Sequence, residues 1–144
     1  MTEFEDPHDV DALAESTSPT WVSPTALPQL EFEVKFFDAI LSRNENHVDT
    51  LRQQVELLSR LGRHQRALEL DRRLVRLAPE DVVARYNLAC SLSMVGEVDA
   101  AVDALDAALR LGYSDWAHLE SDADLDAVRQ HRGFDALLAK YDCV

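Results

Sequence analysis

Residues Asp81 to Gly112 decide the fold of this chain, and they read DVVARYNLACSLSMVGEVDAAVDALDAALRLG. Apolar residues recur at helical spacing before Gly96 and again after it. This periodicity predicts two amphipathic helices, and the glycine between them predicts the turn that joins them. We expect the rest of the chain to be organised around this helix pair.

The helix pair has a copy earlier in the chain. A shift of 34 residues superimposes apolar, alanine and glycine positions in the same order. The matched positions are Leu58 and Leu92, Leu61 and Val95, Gly62 and Gly96, Ala67 and Ala101, Leu68 and Val102, Leu74 and Ala108, Val75 and Leu109, and Leu77 and Leu111. A period of this length is typical of stacked helix-turn-helix units, so we predict an all-α protein with the architecture of an α-α superhelix.

The repeat divides the chain into five segments. They are a tail at 1–29, a half repeat at 30–47, repeat one at 48–81, repeat two at 82–115 and a helical cap at 116–141. The helices predicted for the two full repeats are Val48 to Leu61, Gln65 to Ala78, Val82 to Val95 and Asp99 to Leu111. The cap would cover the apolar face of the last repeat, which a solenoid must not leave exposed.

The N-terminal tail contains no lysine or arginine and is rich in proline, serine and acidic residues. Such a segment has little apolar surface to bury, so we predict that it is disordered. Trp21, Val22 and Leu27 are the exception, because a short apolar string of this kind can lie in a groove. Docking of the tail on its own domain is therefore an alternative to a solvated tail.

The net charge of the chain is −13, which argues against nucleic-acid binding because a phosphate backbone would be repelled. One segment departs from this acidic character because its arginines outnumber its acidic residues. It carries six arginines, here called the arginine belt: Arg60, Arg63, Arg66, Arg72, Arg73 and Arg76. The belt could dock an acidic segment, such as residues 3–15 of this chain. Alternatively, it is a solvated helix face with intrahelical pairs from Glu69 to Arg72 and Arg73.

Composition also bears on the compartment. No apolar run approaches the roughly 18 residues of a membrane span, and acidic residues open the chain where an export signal would be basic. Cys90 and Cys143 suggest neither a disulfide framework nor a metal site, so we expect a reducing cytoplasm. The preference for arginine over lysine, with abundant alanine, leucine and aspartate, suggests a bacterial genome rich in GC.

Repeat two resembles a tetratricopeptide repeat. The residues that match the family pattern are Tyr86, Asn87, Leu88, Ala89, Leu92, Gly96, Ala101, Leu105 and Ala108. Repeat one matches at Leu51, Leu58, Gly62, Ala67 and Pro79, and the half repeat matches at Phe37. Arg85, Asp71 and Tyr113 depart from the pattern, which usually has tryptophan, a bulky apolar residue and proline there. Inside a packed helix pair, Asp71 would have to be exposed or paired with a neighbouring arginine.

The resemblance implies that the first helix of each repeat lines a concave groove that binds a protein or peptide. The predicted partner-binding residues are Arg52, Gln53, Glu56, Arg60, Tyr86, Asn87, Cys90 and Met94. Arg52 and Asn87 would hold backbone or carboxylate groups, and Tyr86 and Met94 would pack against side chains, unless Tyr86 only packs between helices. Glu56 occupies an asparagine place of the clamp by which chaperone-binding members hold a terminal carboxylate. Because two carboxylates repel, we exclude that specificity.

We predict no catalytic residue, no metal and no cofactor. Asp122, Asp124 and Asp126 resemble the start of a calcium loop, but Ala127 and Gly133 stand where such a loop needs glycine and glutamate. The histidines lack ligand spacing, and none is placed to activate Cys90. The function that fits is non-covalent protein binding, as an adaptor, scaffold or assembly factor. The alternatives are a small chaperone of a secreted or assembling client and, more remotely, an uncharacterised enzyme.

Overall fold

The structure, a computed structural model, describes residues 26–141, and within this range the chain is an all-α helical array without strands. The prediction of an all-α array is therefore confirmed. The helices are α1 (Leu27–Arg43), α2 (Val48–Arg60), α3 (His64–Leu77), α4 (Val82–Met94), α5 (Val98–Arg110), α6 (Trp116–Ser121), α7 (Asp126–Arg129) and α8 (Gly133–Lys140), with a 3-10 turn at Ala123–Leu125 between α6 and α7. Helices α2 to α5 begin and end within one residue of the predicted bounds.

Helix α1 begins earlier than the sequence pattern predicts. Its first residue is Leu27, whereas the tail was predicted to extend through residue 29. Pro28 lies in the first helical turn, where its missing N–H removes no hydrogen bond and its fixed φ already suits a helix. The proline is thus a start signal and not a break. The remaining tail residues, 1–25, lie outside the described range.

In each of the two helix pairs, a glycine forms the turn that joins the first helix to the second. Gly62 has a φ of 76° and Gly96 a φ of 91°, in the left-handed region that side chains other than glycine rarely adopt. In each turn the next N–H donates to a carbonyl five residues earlier: Arg63 N to Leu58 O at 2.8 Å, and Glu97 N to Leu92 O at 2.9 Å. The backbone geometry therefore repeats with the 34-residue period of the sequence.

The helix N-termini follow the same period. His47 Nδ1 accepts a hydrogen bond from Thr50 N at 3.3 Å and caps α2. Asp81, which is 34 residues later, accepts one from Ala84 N at 3.0 Å and caps α4. Each cap pairs an N–H that the helix itself leaves unpaired.

Two hydrophobic clusters form the interior. The first joins α1, α2 and α3 and includes Ala84 of α4. The second joins α4, α5 and the C-terminal cap and includes Leu68 of α3. Ala67 and Ala101 are fully buried at the equivalent point of each helix pair, as expected of small residues where helices cross closely.

The residues after Gly112 cover one end of the array with short helices. Leu119, Leu125 and Val128 have no exposed surface, and they belong to the cluster formed by α4 and α5. At the opposite end, Phe32 and Phe36 of α1 are 64% and 54% exposed. No helix within residues 26–141 has the length and apolar character that crossing a membrane requires.

The arginine belt pairs mainly with the neighbouring helix α1 and its C-terminal turn. Arg63 forms an ion pair with Glu31, Arg66 Nη2 lies 2.7 Å from Asp38 Oδ1, and Arg73 Nη1 donates to Glu45 O at 3.1 Å. A further pair joins Arg72 to Glu97. The intrahelical pairs from Glu69 are absent from the described residues, so that prediction is wrong. The pairs of Arg66 and Arg72 are exposed and so contribute little stability, whereas the pair of Arg63 with Glu31 is partly buried.

Asp71 is neither exposed nor paired with an arginine, so both expectations for it are wrong. Its exposed fraction is 0%, and its Oδ2 accepts a hydrogen bond from Ser91 Oγ at 2.5 Å. Helix α4 supplies this hydroxyl from within the core. The carboxyl group is therefore held at the interface between α3 and α4.

Candidate partner-binding cleft

A cleft of about 570 Å³ lies between α2, α4, α6 and the residues that follow α6. Five of the eight predicted partner-binding residues line it: Arg52, Glu56, Tyr86, Asn87 and Cys90. The spacing of these residues explains why they meet. Positions four apart lie on one face of a helix, so Arg52 shares a face with Glu56, and Tyr86 shares a face with Cys90.

The other three predicted residues do not line the cleft. Gln53 and Arg60 are exposed on α2, seven residues apart on a stripe beside that of Arg52 and Glu56. Met94 is half-buried at the C-terminal end of α4, one turn beyond Cys90. The groove is thus shorter than the resemblance implied.

Tyr86 forms part of the cleft wall and is only 4% exposed. Its ring stacks on Tyr113, with 4.3 Å between ring centroids and 10° between planes. Its hydroxyl donates to Asp122 Oδ2 at 2.7 Å. Burial, together with the nearby Cys90 and Asp122, raises the pKa of Tyr86, so the phenol keeps its proton. Its packing role predominates over a role as an exposed contact.

Cys90 lies one helical turn after Tyr86 on the same face of α4, and it is buried. Its thiol donates to Asp122 Oδ2 at 3.6 Å. Burial raises the pKa of Cys90 well above its ordinary value, and the Asp122 carboxylate adds to this effect. A thiol of this kind is a weak nucleophile, because the reactive species is the thiolate.

Arg52 and Asn87 differ in whether their polar side-chain groups already have partners within the described residues. Arg52 forms an ion pair with Asp81, the residue that caps α4. Although burial alone would raise it, the Ala84 amide and the Arg52 guanidinium hold the pKa of Asp81 below its usual value. The Asn87 side chain, by contrast, makes no hydrogen bond to any residue of the range 26–141, and it is half-buried. Its amide can therefore donate to and accept from a bound peptide.

The cap contributes three residues that the sequence did not assign to a site: His118, Asp122 and Asp124. Asp122 contacts the neighbouring residues that line this side of the cleft. Its Oδ2 accepts from Tyr86 and lies 3.3 Å from His118 Nε2, and its Oδ1 accepts from Asp124 N at 3.0 Å. The signal in the sequence is the alternation of aspartates at positions 122, 124 and 126, a pattern that by itself resembles only the start of a calcium loop.

Donor atoms of Cys90, Asp122 and Asp124 lie within 4.8 Å of one another and so could hold a metal ion. The sequence predicted no metal ligand, and the third aspartate of the run does not join them. Asp126 instead forms an ion pair with Arg129. The hydrogen bonds from Tyr86 and Cys90 to Asp122 give this cluster a structural role without an ion.

Comparison with known proteins finds similarity over part of the chain. No protein-family model matches the chain. The chain is similar to a chloroplastic protein of Arabidopsis thaliana, with 38% identity over 87 residues. The similarity covers 58% of this chain but only 26% of that protein, so the chain spans about a quarter of the relative's length.

Proposed function

We propose that this chain is a non-catalytic protein-interaction module of the tetratricopeptide type, an adaptor, scaffold or assembly factor. In this proposal an extended segment of a partner protein lies in the cleft between α2 and α4. The compartment we propose is a reducing bacterial cytoplasm, in keeping with the buried thiol of Cys90.

The observation that carries the proposal is the composition of the cleft. Backbone-binding chemistry is available at Asn87, and an apolar contact is available at Val83, which is 58% exposed at the edge of the cleft. An extended peptide needs both kinds of group, since its amides require partners and its side chains gain from burial. The turn and cap geometry repeated at 34 residues adds support for the family resemblance.

The chemistry of the cleft supports binding over catalysis. Nucleophilic catalysis needs a thiolate or an activated hydroxyl with a base beside it. The Cys90 thiol instead donates its hydrogen to Asp122, in surroundings that keep it protonated. The Tyr86 hydroxyl donates to the same carboxylate.

The test is a selection of peptides from a random display library against the purified chain, followed by affinity measurement in solution. Asn87→Ala should weaken binding of the selected peptides by roughly fivefold for each hydrogen bond lost, because such a bond contributes on the order of 1 kcal/mol. Asn46→Ala is the matched control, since Asn46 is exposed in a turn outside the cleft. Failure to enrich any peptide, or equal effects of the two variants, would contradict the proposal.

A second candidate function is that of a small chaperone, and the exposed Phe32 and Phe36 of α1 favour it. Exposed apolar surface can hold an incompletely folded client in solution. The same selection separates the two functions. A module that binds in the cleft enriches one sequence pattern that depends on Asn87, whereas a chaperone enriches diverse apolar sequences that depend on Phe32 and Phe36.

A further inference from the structure

The lining of the cleft carries more acidic than basic side chains. Three carboxyl groups line the cleft, those of Glu56 on α2 and of Asp122 and Asp124 in the cap. The basic residues that line it are already paired: the Arg52 guanidinium with Asp81, and His118, whose Nε2 lies 3.3 Å from Asp122 Oδ2. Glu56 and Asp124, which form no ion pair with any residue of the range 26–141, therefore present negative charge to a ligand in the cleft.

Asp122 and Asp124 differ in the number of hydrogen bonds that their carboxylates accept. Asp122 accepts hydrogen bonds from Tyr86 and from the amide of Asp124. The Asp124 carboxylate accepts none from the residues that the structure describes, although it is half-buried. Burial, with the charge of Asp122 added, raises the pKa of Asp124. A cation next to this carboxylate would favour its charged form and so oppose both effects.

We infer that the partner segment carries a positively charged side chain, lysine or arginine, that lies in the cleft lined by Asp124 and Glu56. The inference rests on the proposed function and adds a chemical class to it. An apolar residue of the same segment would contact the exposed Val83. Charge complementarity of this kind discriminates between partners, because a segment with an acidic residue at the same place is repelled.

The experiment follows amide chemical shifts of the full chain by NMR during titration with N-acetyl-arginine amide. The uncharged citrulline analogue, which has nearly the same shape, is the comparison ligand. We expect saturable shifts at residues 122–124 and at Glu56 with the arginine compound, and none with the citrulline compound. Added salt should weaken this binding, because it screens charges that remain partly exposed to solvent.

Two variants locate the effect. Asp124→Asn keeps the shape of the side chain and should weaken binding of the arginine compound roughly fivefold. Asp135→Asn, an exposed aspartate on α8 outside the cleft, should leave the affinity unchanged. Equal effects of the two variants would overturn the inference, and so would equal shifts with arginine and citrulline.

The remaining outcomes separate this inference from its foundation. Saturable shifts with the arginine compound but no enriched peptide would reject the proposed function and leave the cation site standing. Enriched peptides without any shift from the arginine compound would support the proposed function and overturn the inference. Zinc chloride provides the last arm. A response of Cys90, Asp122 and Asp124 to zinc, with no response to the arginine compound, would assign the wall to a metal ion and overturn the inference.

Discussion

At the scale of single residues, Asp71 shows how one carboxyl group can make the whole fold sensitive to pH. It has no exposed surface, and its Oδ1 has no partner among the described residues. Burial raises the pKa of Asp71 to about 7, and the hydrogen bond from Ser91 only partly offsets this effect. The side chain is therefore protonated in mildly acidic solution. The cause is that burying a neutral carboxylic acid costs far less free energy than burying a carboxylate.

The pH dependence of stability follows from this shift. The folded state keeps a proton on Asp71 up to about pH 7, whereas the unfolded chain releases it near pH 4. The folded state binds more protons between these values, so the contribution of Asp71 to the free energy of unfolding falls as pH rises through that window. Between about pH 5 and about pH 8 the loss should be roughly 2–3 kcal/mol, and above that range it is complete.

Asp71→Asn tests this account, because the amide has the size of the acid but does not titrate. Urea unfolding of both proteins across the pH range should show the wild type losing stability relative to Asp71→Asn as pH rises. Asp103→Asn, an exposed position on α5, controls for the general effect of removing a charge. Parallel pH profiles for wild type and Asp71→Asn would show that the buried carboxyl does not titrate in this range.

At the scale of the helix pair, the crossing of α4 and α5 depends on a small side chain. Ala101 is fully buried in the cluster that these helices share with the cap. Ala101→Leu should overpack this crossing and cost about 1–3 kcal/mol, which corresponds to a melting temperature lower by several degrees. Ala107→Leu lies on the same helix but outside the packed cluster, so it should change melting little. Equal melting of the wild type and Ala101→Leu would contradict the repeat register.

The same elements show what a sequence can and cannot predict here. Helical period and the two glycine turns place α2 to α5 correctly, because apolar spacing and left-handed φ are local properties. The cleft is different. Its wall at Asp122 and Asp124 comes from a cap without a repeat, so no register places it against α4. The bond from Ser91 to Asp71 likewise depends on how α3 packs on α4, which periodicity alone does not determine.

At the scale of the whole molecule, the two hydrophobic clusters meet at the interface of α3 and α4. Leu68 of α3 belongs to the cluster of the cap, and Ala84 of α4 belongs to the cluster of α1 and α2. In arrays of stacked units, each unit contacts only its neighbours, so stability is spread along the array and the ends can open separately. The cap should therefore stabilise α4 and α5 more strongly than it stabilises α1.

A pair of cavity-forming variants tests this division, one in each cluster. Leu125→Ala removes a fully buried side chain of the cap, and Leu51→Ala removes one from α2, each at a cost of about 2–5 kcal/mol. Hydrogen exchange measured by mass spectrometry should then rise mainly in α4, α5 and the cap for Leu125→Ala, and mainly in α1, α2 and α3 for Leu51→Ala. Because the costs are similar, each variant controls for the other. The same exchange pattern in both would mean that the array unfolds as one cooperative unit, and the cap would then stabilise the cleft only through global stability.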